Sequence, residues 1–271
     1  MKTRFALIFA VTFLLNFLTV WESGAQRPRI PSPDEVIEQL VSSDHTVSFN
    51  GIGGYKALPL DQRTPEVKSA LVKALENENE RVRRIMLSGD DSMPMYKDEG
   101  SAERALALVR EVLYLRDPST IPLILPWGGL HMDIMDFGRK AFEPVLNFVE
   151  TPPSGTMILS VGSRLMTLRM MIDYWGLSSF SSSERDRMRQ VAAKYIAGFD
   201  SYGTVSSAIS LASSLGEIEL LRMANALLNS DTVMAKQSSG DRDRLQGTVT
   251  QALNGTLETR QYVPYEQRER W

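Results

Sequence analysis

The sequence predicts an all-α protein, and three observations support this prediction. Apolar residues recur at steps of three and four over most of the chain, which places them on one face of successive helices. Residue pairs that cap helices, Ser32 with Glu35 and Ser181 with Glu184, stand in front of two of these stretches. Alternating apolar and polar runs bounded by hairpin turns, the pattern of half-buried strands, are missing from the sequence.

The N-terminal stretch has the composition of a secretory signal peptide. Two cationic residues precede an apolar run over residues 5–20, and Ser23 and Ala25 supply the small residues that signal peptidase recognises. This run is shorter than the roughly 20 residues that a membrane-spanning helix needs. We therefore expect residues 1–25 to be cleaved after Ala25 and the mature chain to be exported, to the periplasm or outside the cell. The alternative is an uncleaved N-terminal anchor, which would then be the protein's contact with the membrane.

Composition excludes several classes of protein. The chain of 271 residues contains no cysteine, which rules out disulfides, thiolate nucleophiles and cysteine-ligated metals. Its formal net charge of -3 gives no general affinity for polyanions, so we expect no nucleic-acid partner. An exported protein without disulfides must be stabilised by its core, which fits a bacterial envelope better than a small secreted scaffold.

The first elements of the mature chain follow a proline-rich stretch. Residues 26–33 cannot be helical throughout, and we interpret them as a linker. Ser32 and Glu35 then form the capping box of a short helix. Residues 44–63 contain the run Asn50-Gly-Ile-Gly-Gly54 and no helical periodicity, which predicts a loop. Because a strand and a following Lys-Ser/Thr pair are lacking, the glycine run is interpreted as a turn and not as a phosphate-binding loop.

Two helical stretches come next. Thr64 and Pro65 cap a helix whose apolar residues share one face over residues 67–75, and the polar residues 76–79 predict a break before a second helix. After turn-forming residues at 88–100 comes a strongly amphipathic helix. Its apolar residues are predicted to face inward: Ala102, Ala105, Leu106, Val109, Val112 and Leu113. Three of its charged residues are predicted to face solvent: Arg104, Arg110 and Glu111.

The rest of the chain continues the helical pattern. Asp117 and Pro118 cap a short helix. Further helices are predicted over residues 133–150, 156–175, 182–198, 203–215, 217–229 and 241–254. Residues 255–271 form a polar and aromatic C-terminal tail, whose Tyr262 and Tyr265 favour docking on the body or on a partner over a mobile chain end.

Three segments share the pattern of stacked helical hairpins. Residues 67–84 contain an aliphatic helix, a polar turn and a Val-Arg pair, residues 115–123 an Asp-Pro turn before an aliphatic helix, and residues 208–231 a further hairpin. These segments resemble HEAT-type (armadillo-like) repeats. The resemblance implies a right-handed α-α superhelix, an irregular solenoid of antiparallel helix pairs, over residues 34–254. The uneven spacing of the segments departs from a fixed repeat, so a compact helical bundle is the structural alternative.

The residues that usually carry chemistry are sparse. The chain has only two histidines, His45 and His131. His131 with Asp133 and Asp136 is a conceivable metal site, but the spacing matches no established metal motif. The two aspartates also suit the positive N-terminal end of a helix. We therefore predict no catalytic residue, no cofactor and no metal ligand.

Arginine is the preferred basic residue, with 22 of the 30 basic positions. Its planar guanidinium binds carboxylates in a two-pronged geometry that lysine cannot match. On the aligned faces of a repeat protein, such residues would form a row that grips an acidic partner. The candidates for partner binding are Arg81, Arg83, Arg84, Arg164 and Arg169. Pairing with the 33 acidic residues of the chain itself is the alternative interpretation.

The resemblance and the lack of a catalytic set predict an exported, non-enzymatic interaction scaffold. Such a protein binds a protein or peptide along a helical-repeat surface. The rival hypothesis is an all-helical envelope enzyme that acts on glycan or peptidoglycan through a buried carboxylate, and a purely structural protein is a third. A concave pocket with a buried glutamate beside tyrosine or tryptophan would favour the enzyme. A continuous groove without buried ionisable groups would favour the scaffold.

Overall fold

The computed structural model describes residues 29–88, 101–156, 158–199, 201–230, 238–259 and 261–268, and these contain twelve α-helices and no strand. The helices are α1 (Pro33–Leu40), α2 (His45–Ala57), α3 (Pro65–Leu87), α4 (Ser101–Tyr114), α5 (Ile121–Ile124), α6 (His131–Met135), α7 (Phe142–Glu150), α8 (Ile158–Trp175), α9 (Ser182–Gly198), α10 (Tyr202–Leu215), α11 (Ile218–Leu228) and α12 (Ser239–Leu253). The predicted all-α class is confirmed. The predicted signal peptide, the start of the linker, most of the turn-forming residues at 88–100 and the last three residues of the tail lie outside the described residues.

The loop predicted at residues 44–63 is wrong, because most of this stretch forms α2. Asp44 caps the helix by accepting hydrogen bonds from two backbone N–H groups of the first turn, at 2.8 and 3.0 Å. Two of the glycines that suggested a turn, Gly51 and Gly54, instead permit close packing on α1. A Cβ atom on Gly51 would lie only 2.7 Å from the backbone nitrogen of Leu40. Glycine is here a packing residue and not a turn residue.

The break predicted at residues 76–79 is also wrong, since α3 is one continuous helix of 23 residues. Its glutamates pair with arginines one turn further on: Glu78 with Arg81 and Glu80 with Arg83, both at 2.7 Å. Ion pairs at this spacing support a helix. The polar residues therefore carry the helix through the point where the sequence predicted its end.

Helix α4 is present as predicted, and most of its predicted inward face is buried, but the prediction is wrong at Leu106, Arg104 and Glu111. Val109 and Leu113 are buried as expected, whereas the Leu106 side chain is 50% exposed. Arg104 and Glu111, predicted to face solvent, are only 4% and 6% exposed. The buried stripe of Ala105, Leu108 and Val112 has the same period, and Arg104 enters the core because it pairs with the buried Glu78 at 2.7 Å.

Several local predictions are confirmed. Both capping boxes form: each serine accepts a hydrogen bond from the glutamate N–H, and each glutamate accepts one from the serine N–H. Thr64 and Asp117 cap their helices. The helix predicted over 133–150 is divided into α6 and α7, because Gly138 has a left-handed φ of +62° and the chain makes a short 3-10 turn there.

Packing joins mainly helices that are close in the sequence. In the N-terminal half, α3 packs against α1, α2, α4 and α5. In the C-terminal half, α10 packs against α8, α9, α11 and α12. Helices α8 and α10 approach closely, since a Cβ atom on Gly162 would lie 3.3 Å from the backbone of Gly203. Among the described residues, buried hydrophobic side chains from both halves form one cluster.

None of the described helices combines the length and the apolar character that crossing a membrane requires.

Candidate functional site

Helix α3 presents one face to the core and another to a surface groove. The buried face consists of seven residues: Val67, Ala70, Leu71, Ala74, Leu75, Glu78 and Val82. The groove face consists of mostly polar residues at helical spacing: Pro65, Lys68, Ser69, Val72, Glu76, Asn79, Glu80 and Arg83. The opposite wall is formed by residues from the stretch 115–127 and by the turn at 153–156. We call this depression the α3 groove.

The α3 groove comprises two clefts that share the lining residues Glu76 and Leu123. The cleft beside the N-terminal half of α3 has a volume of about 570 Å³, and the cleft beside the C-terminal half about 190 Å³. From Pro65 to Arg83 the helix rises about 27 Å, at 1.5 Å per residue. The site is therefore elongated, which suits an extended chain better than a compact ligand.

The smaller cleft, here the Trp127 cleft, has an apolar lining. Val82, Leu123, Pro126 and Trp127 form its walls together with the 153–156 turn. Its volume lies below the roughly 300–1,000 Å³ typical of small-molecule pockets. A cleft of this size, apolar inside and polar at its edge, suits a single apolar side chain of a protein partner.

Hydrogen bonds fix the tryptophan wall of this cleft. The Trp127 indole N–H donates to the side-chain oxygen of Asn79 at 2.7 Å. The Asn79 amide nitrogen donates in turn to the Leu123 carbonyl at 2.8 Å. Because both ends of the Asn79 amide are occupied, Trp127 and Leu123 are held at a fixed distance from α3. The cleft is thus formed before any partner binds, which lowers the entropy cost of binding.

Polar side chains of α8 form hydrogen bonds with the backbone of the loop that carries Trp127. Ser160 donates to the Pro126 carbonyl, and Ser163 accepts a hydrogen bond from the Gly129 N–H at 3.0 Å. Arg164 donates to the carbonyls of Trp127 and Gly129. Its guanidinium is fully buried, and burial lowers the pKa of Arg164 to about 9. Arg164 is therefore placed to position the loop.

The edge of the α3 groove carries charge. Glu80 accepts hydrogen bonds from Arg83 and Arg84 at 2.7 to 2.9 Å, and these lower the pKa of Glu80 to about 2. Glu76 pairs with Lys73 at 2.9 Å. Both glutamates lie at the mouth of the Trp127 cleft, so an apolar interior is bordered by paired charges. This arrangement resembles the apolar centre and polar rim of a protein–protein interface.

A separate cleft of about 530 Å³ lies on the other side of α3 and contains a buried carboxylate. Glu78 is 5% exposed. One of its oxygens accepts a hydrogen bond from Arg81 at 2.7 Å, and the other accepts one from Arg81 at 3.1 Å and one from Arg104 at 2.7 Å. Guanidinium groups occupy both oxygens, so Glu78 is placed as an ion-pair centre and not as a general acid or base.

A second buried carboxylate, Glu111, lies near Tyr55 and Lys56. Its side chain is 3.9 Å from the Lys56 ammonium, and burial raises the pKa of Glu111 above its usual range. Glu111 does not line the α3 groove, the Glu78 cleft or the small cleft beside Tyr265. None of these four clefts therefore combines an aromatic wall with a buried glutamate that is open to a substrate.

The five arginines predicted to bind a partner are distributed over different environments. Arg83 lines the α3 groove, whereas Arg81 and Arg84 line the Glu78 cleft. Arg164 and Arg169 are at most 5% exposed, and both donate to backbone carbonyls of the protein itself. The structure thus divides the five between three regions and does not form one row from them. Their role in partner binding stays a prediction.

The residues of the conceivable metal site have other contacts. His131 lies 3.3 Å from the Thr167 hydroxyl. Asp133 and Asp136 each accept a hydrogen bond from Arg268, at 3.0 and 2.9 Å. Among the described residues, no three histidine or carboxylate groups come together as a metal site would require.

The residues that shape the Trp127 cleft were not predicted as a site. Trp127 precedes two glycines and was not predicted to have a functional role. Asn79 was assigned to a polar break, 48 residues away in the sequence. A tryptophan within a turn, where its ring cannot join a helical stripe, is the one signal in the sequence that could have indicated this surface.

Comparisons with known proteins give no relative for this chain: no family model matches it, and neither curated proteins nor solved structures include a significant match.

Proposed function

We propose that this protein is an exported scaffold that binds an extended segment of a partner protein along the α3 groove. The single observation that carries this proposal is the preformed, apolar Trp127 cleft, one of two clefts along α3 whose lining residues on this helix span about 27 Å at 1.5 Å per residue. An extended peptide advances about 3.3 Å per residue, so the groove accommodates roughly eight residues. One apolar side chain of the partner enters the Trp127 cleft as the anchor.

The charges at the edge set the orientation and selectivity of binding. Glu76, Glu80 and Arg83 are paired within the protein and stay at the surface, so they gain little from a partner charge individually. A partner that places a like charge opposite one of them binds with lower affinity. Affinity then comes from the buried anchor, and the polar rim decides which sequences fit.

Two further parts of the proposal concern architecture and export. The preference of α3 and α10 for sequence neighbours supports a right-handed α-α superhelix of irregular HEAT-type pairs, because stacked repeats contact each other only locally. The order of cationic, apolar and small residues at the N-terminus supports export to the periplasm or beyond. Both fit a scaffold that presents a groove to an envelope or extracellular partner.

The enzyme hypothesis has weaker support. It needs a carboxylate that is buried, unpaired and open to a concave pocket. Glu78 is in a cleft but is occupied by two arginines, and Glu111 has a raised pKa but lies outside the described clefts. Neither of these residues meets all three conditions.

The test is peptide selection with a variant that fills the cleft. A random peptide library is selected on the mature full-length chain, and the dissociation constants of the selected peptides are measured. Ser154, exposed at the mouth of the Trp127 cleft, is replaced in Ser154→Trp. The control is Thr151→Trp, an exposed position in the same connection that does not line the cleft.

We expect selected peptides to share an apolar residue and to bind Ser154→Trp at least tenfold more weakly, or about 1.4 kcal/mol. Thr151→Trp should bind them as the wild type does. Equal affinity for both variants would remove the Trp127 cleft from the binding site and overturn the proposal.

A further inference from the structure

The C-terminal segment folds back onto the body through aromatic contacts. We call residues 261–268 the strap. The Tyr262 ring lies 4.7 Å from the ring of Tyr174 at the end of α8. The Tyr265 ring lies 6.4 Å from Tyr114 at the end of α4, and the Arg116 guanidinium stacks over it at 4.3 Å. Docking of the tail on the body, expected from its aromatic residues, is observed for the strap.

One carboxylate of the body anchors the strap. The Asp136 side chain is 4% exposed, and one oxygen accepts hydrogen bonds from the Tyr262 hydroxyl at 2.6 Å, the Tyr265 N–H at 3.2 Å and Arg268 at 2.9 Å. Arg116 of the body lies 3.2 Å from its other oxygen. Burial and the hydrogen bond to Asp136 raise the pKa of Tyr262, which keeps its donor proton.

The surface beneath the strap is incomplete without it. Three of the four cationic or hydrogen-bonding groups around Asp136 come from the strap, so a body without the strap would leave the carboxylate with only Arg116 of these four groups. Tyr265 also forms one wall of a cleft of about 230 Å³, whose other apolar residues include the half-exposed Leu106. The body therefore presents a binding site whose ligand is a Tyr-x-x-Tyr-x-x-Arg segment.

The connection to the strap permits an exchange of partners. Residues 254–259, which link α12 toward the strap, are almost all exposed. Their contacts include the partial burial of Leu257 against the hydrophobic cluster, the hydrogen bond from Arg169 to the Glu258 carbonyl and those of Thr256 to the Gln251 carbonyl. The anchoring groups all lie within residues 262–268. A second copy of the chain can supply the same groups with the same geometry, as in domain swapping.

We propose that the strap is exchangeable and that two copies of this chain assemble by placing the strap of one on the Asp136 site of the other. The occupant of the site is in each case the C-terminal segment of this chain. The tether gives the intramolecular strap an effective concentration in the millimolar range, so the closed monomer predominates in dilute solution. When several copies bind one partner or surface, their local concentration rises, and this favours the intermolecular strap over the intramolecular one.

Complementary variants remove the intramolecular competition. The first, Tyr262→Ala with Arg268→Ala, has a weakened strap and an intact site. The second, Asp136→Asn, has an intact strap and a weakened site. Each is purified as the full mature chain, checked by circular dichroism, and analysed by light scattering coupled to size exclusion, alone and as an equimolar mixture.

The proposal predicts that each variant alone is monomeric and that the mixture forms a one-to-one heterodimer. A synthetic peptide of residues 258–268 should dissociate the heterodimer, and the same peptide with both tyrosines replaced by alanine should not. The dimer fraction of the mixture should exceed that of the wild type at least tenfold, because the wild type retains its intramolecular strap.

A second variant with a weakened site keeps the test valid if Asp136→Asn does not fold. Tyr114→Ala removes a half-exposed ring that contacts only the strap among the observed ring pairs, so the body should fold unchanged. If folded variants of both kinds remain monomeric when mixed, near millimolar concentration, the strap is not exchangeable and the proposal is overturned. Dimers that form equally in each variant alone would also contradict it, since they would not depend on the strap.

Discussion

Two leucines of α4, two residues apart, provide a sharp test of how this helix packs. Leu108 is 1% exposed and belongs to the hydrophobic cluster, whereas Leu106 is 50% exposed at the edge of a small cleft. The periodicity of the sequence had placed Leu106 inside. Replacing each by alanine removes the same atoms from two different environments, so that side-chain chemistry and helix propensity are matched.

The expected magnitudes follow from burial. Leu108→Ala removes a fully buried side chain and leaves a cavity, which lowers the free energy of unfolding by about 2–5 kcal/mol. Leu106→Ala removes a side chain that has lost about half of its contact with water, and solvent fills the space. Full burial of a leucine contributes about 1.5–3 kcal/mol, so the half-exposed Leu106 contributes about half of that, and Leu106→Ala should cost about 1.5 kcal/mol or less.

Urea unfolding followed by circular dichroism measures both free energies, with thermal unfolding as a second assay. For a chain of this size each kcal/mol changes Tm by about 2–4 °C, so Leu108→Ala should lower Tm by at least roughly 4 °C. The m-values of the two variants should equal that of the wild type. If Leu106→Ala were as destabilising as Leu108→Ala, the observed exposure of Leu106 would be refuted.

Three other predictions concern separate regions of the chain. Gly51→Ala should destabilise the protein by about 1–3 kcal/mol, because the new Cβ atom meets the backbone of α1 at 2.7 Å. Gly53→Ala should stabilise it by about 0.5–1 kcal/mol, because the space around Gly53 is open. Urea unfolding measures both free energies. The depressed pKa of Glu80 means that its ion pairs stabilise the fold above pH 4.5 and are lost as pH falls toward about 2. A carbon-detected NMR titration should show the carboxylate titrating near 2, and Arg83→Gln should move the midpoint up. Intact mass of the exported protein should correspond to cleavage after Ala25, and retention of the N-terminal residues would indicate an anchor instead.

Local features of the fold were the predictable ones. The capping boxes at Ser32 and Ser181 involve residues three apart, so the sequence contains both partners of each interaction. The same holds for the caps at Thr64 and Asp117. The elements that begin at these caps were therefore predicted, whereas the equally local cap at Asp44 was missed because the glycines that follow it indicated a turn.

Features that depend on a distant partner were not predictable from periodicity. The orientation of α4 depends on the pairing of Arg104 with Glu78 of another helix. The buried apolar residues on either side of Leu106 follow the same helical period, so periodicity alone does not show that Leu106 is exposed. Gly51 indicates a turn unless α1 is known to pack against it. A rule that treats charged residues as exposed and glycines as turns fails where a second helix supplies the counter-charge or needs the space.

The candidate site was missed for the same reason. Trp127 and Asn79 each look unremarkable in sequence, and only the fold joins the indole to the amide 48 residues away. The arginines singled out for their chemistry have different partners: Arg83 and Arg84 pair with Glu80, Arg81 pairs with the buried Glu78, and Arg164 and Arg169 donate to backbone carbonyls. Charge composition indicated which residues form strong contacts and gave no information on whether the contact is internal.

Site-specific photo-crosslinking tests the central claim, that the α3 groove holds a partner segment, most directly. A benzophenone amino acid is placed at Ser69, an exposed position on the groove face of α3, and at Glu66, an exposed position on the same helix outside the groove. The protein is expressed with its own N-terminal sequence, exported and irradiated in intact cells. A discrete adduct at Ser69, absent at Glu66 and suppressed by Ser154→Trp, is the predicted result. Adducts of equal yield at Ser69 and Glu66, or an adduct at Ser69 that Ser154→Trp leaves unchanged, would contradict it.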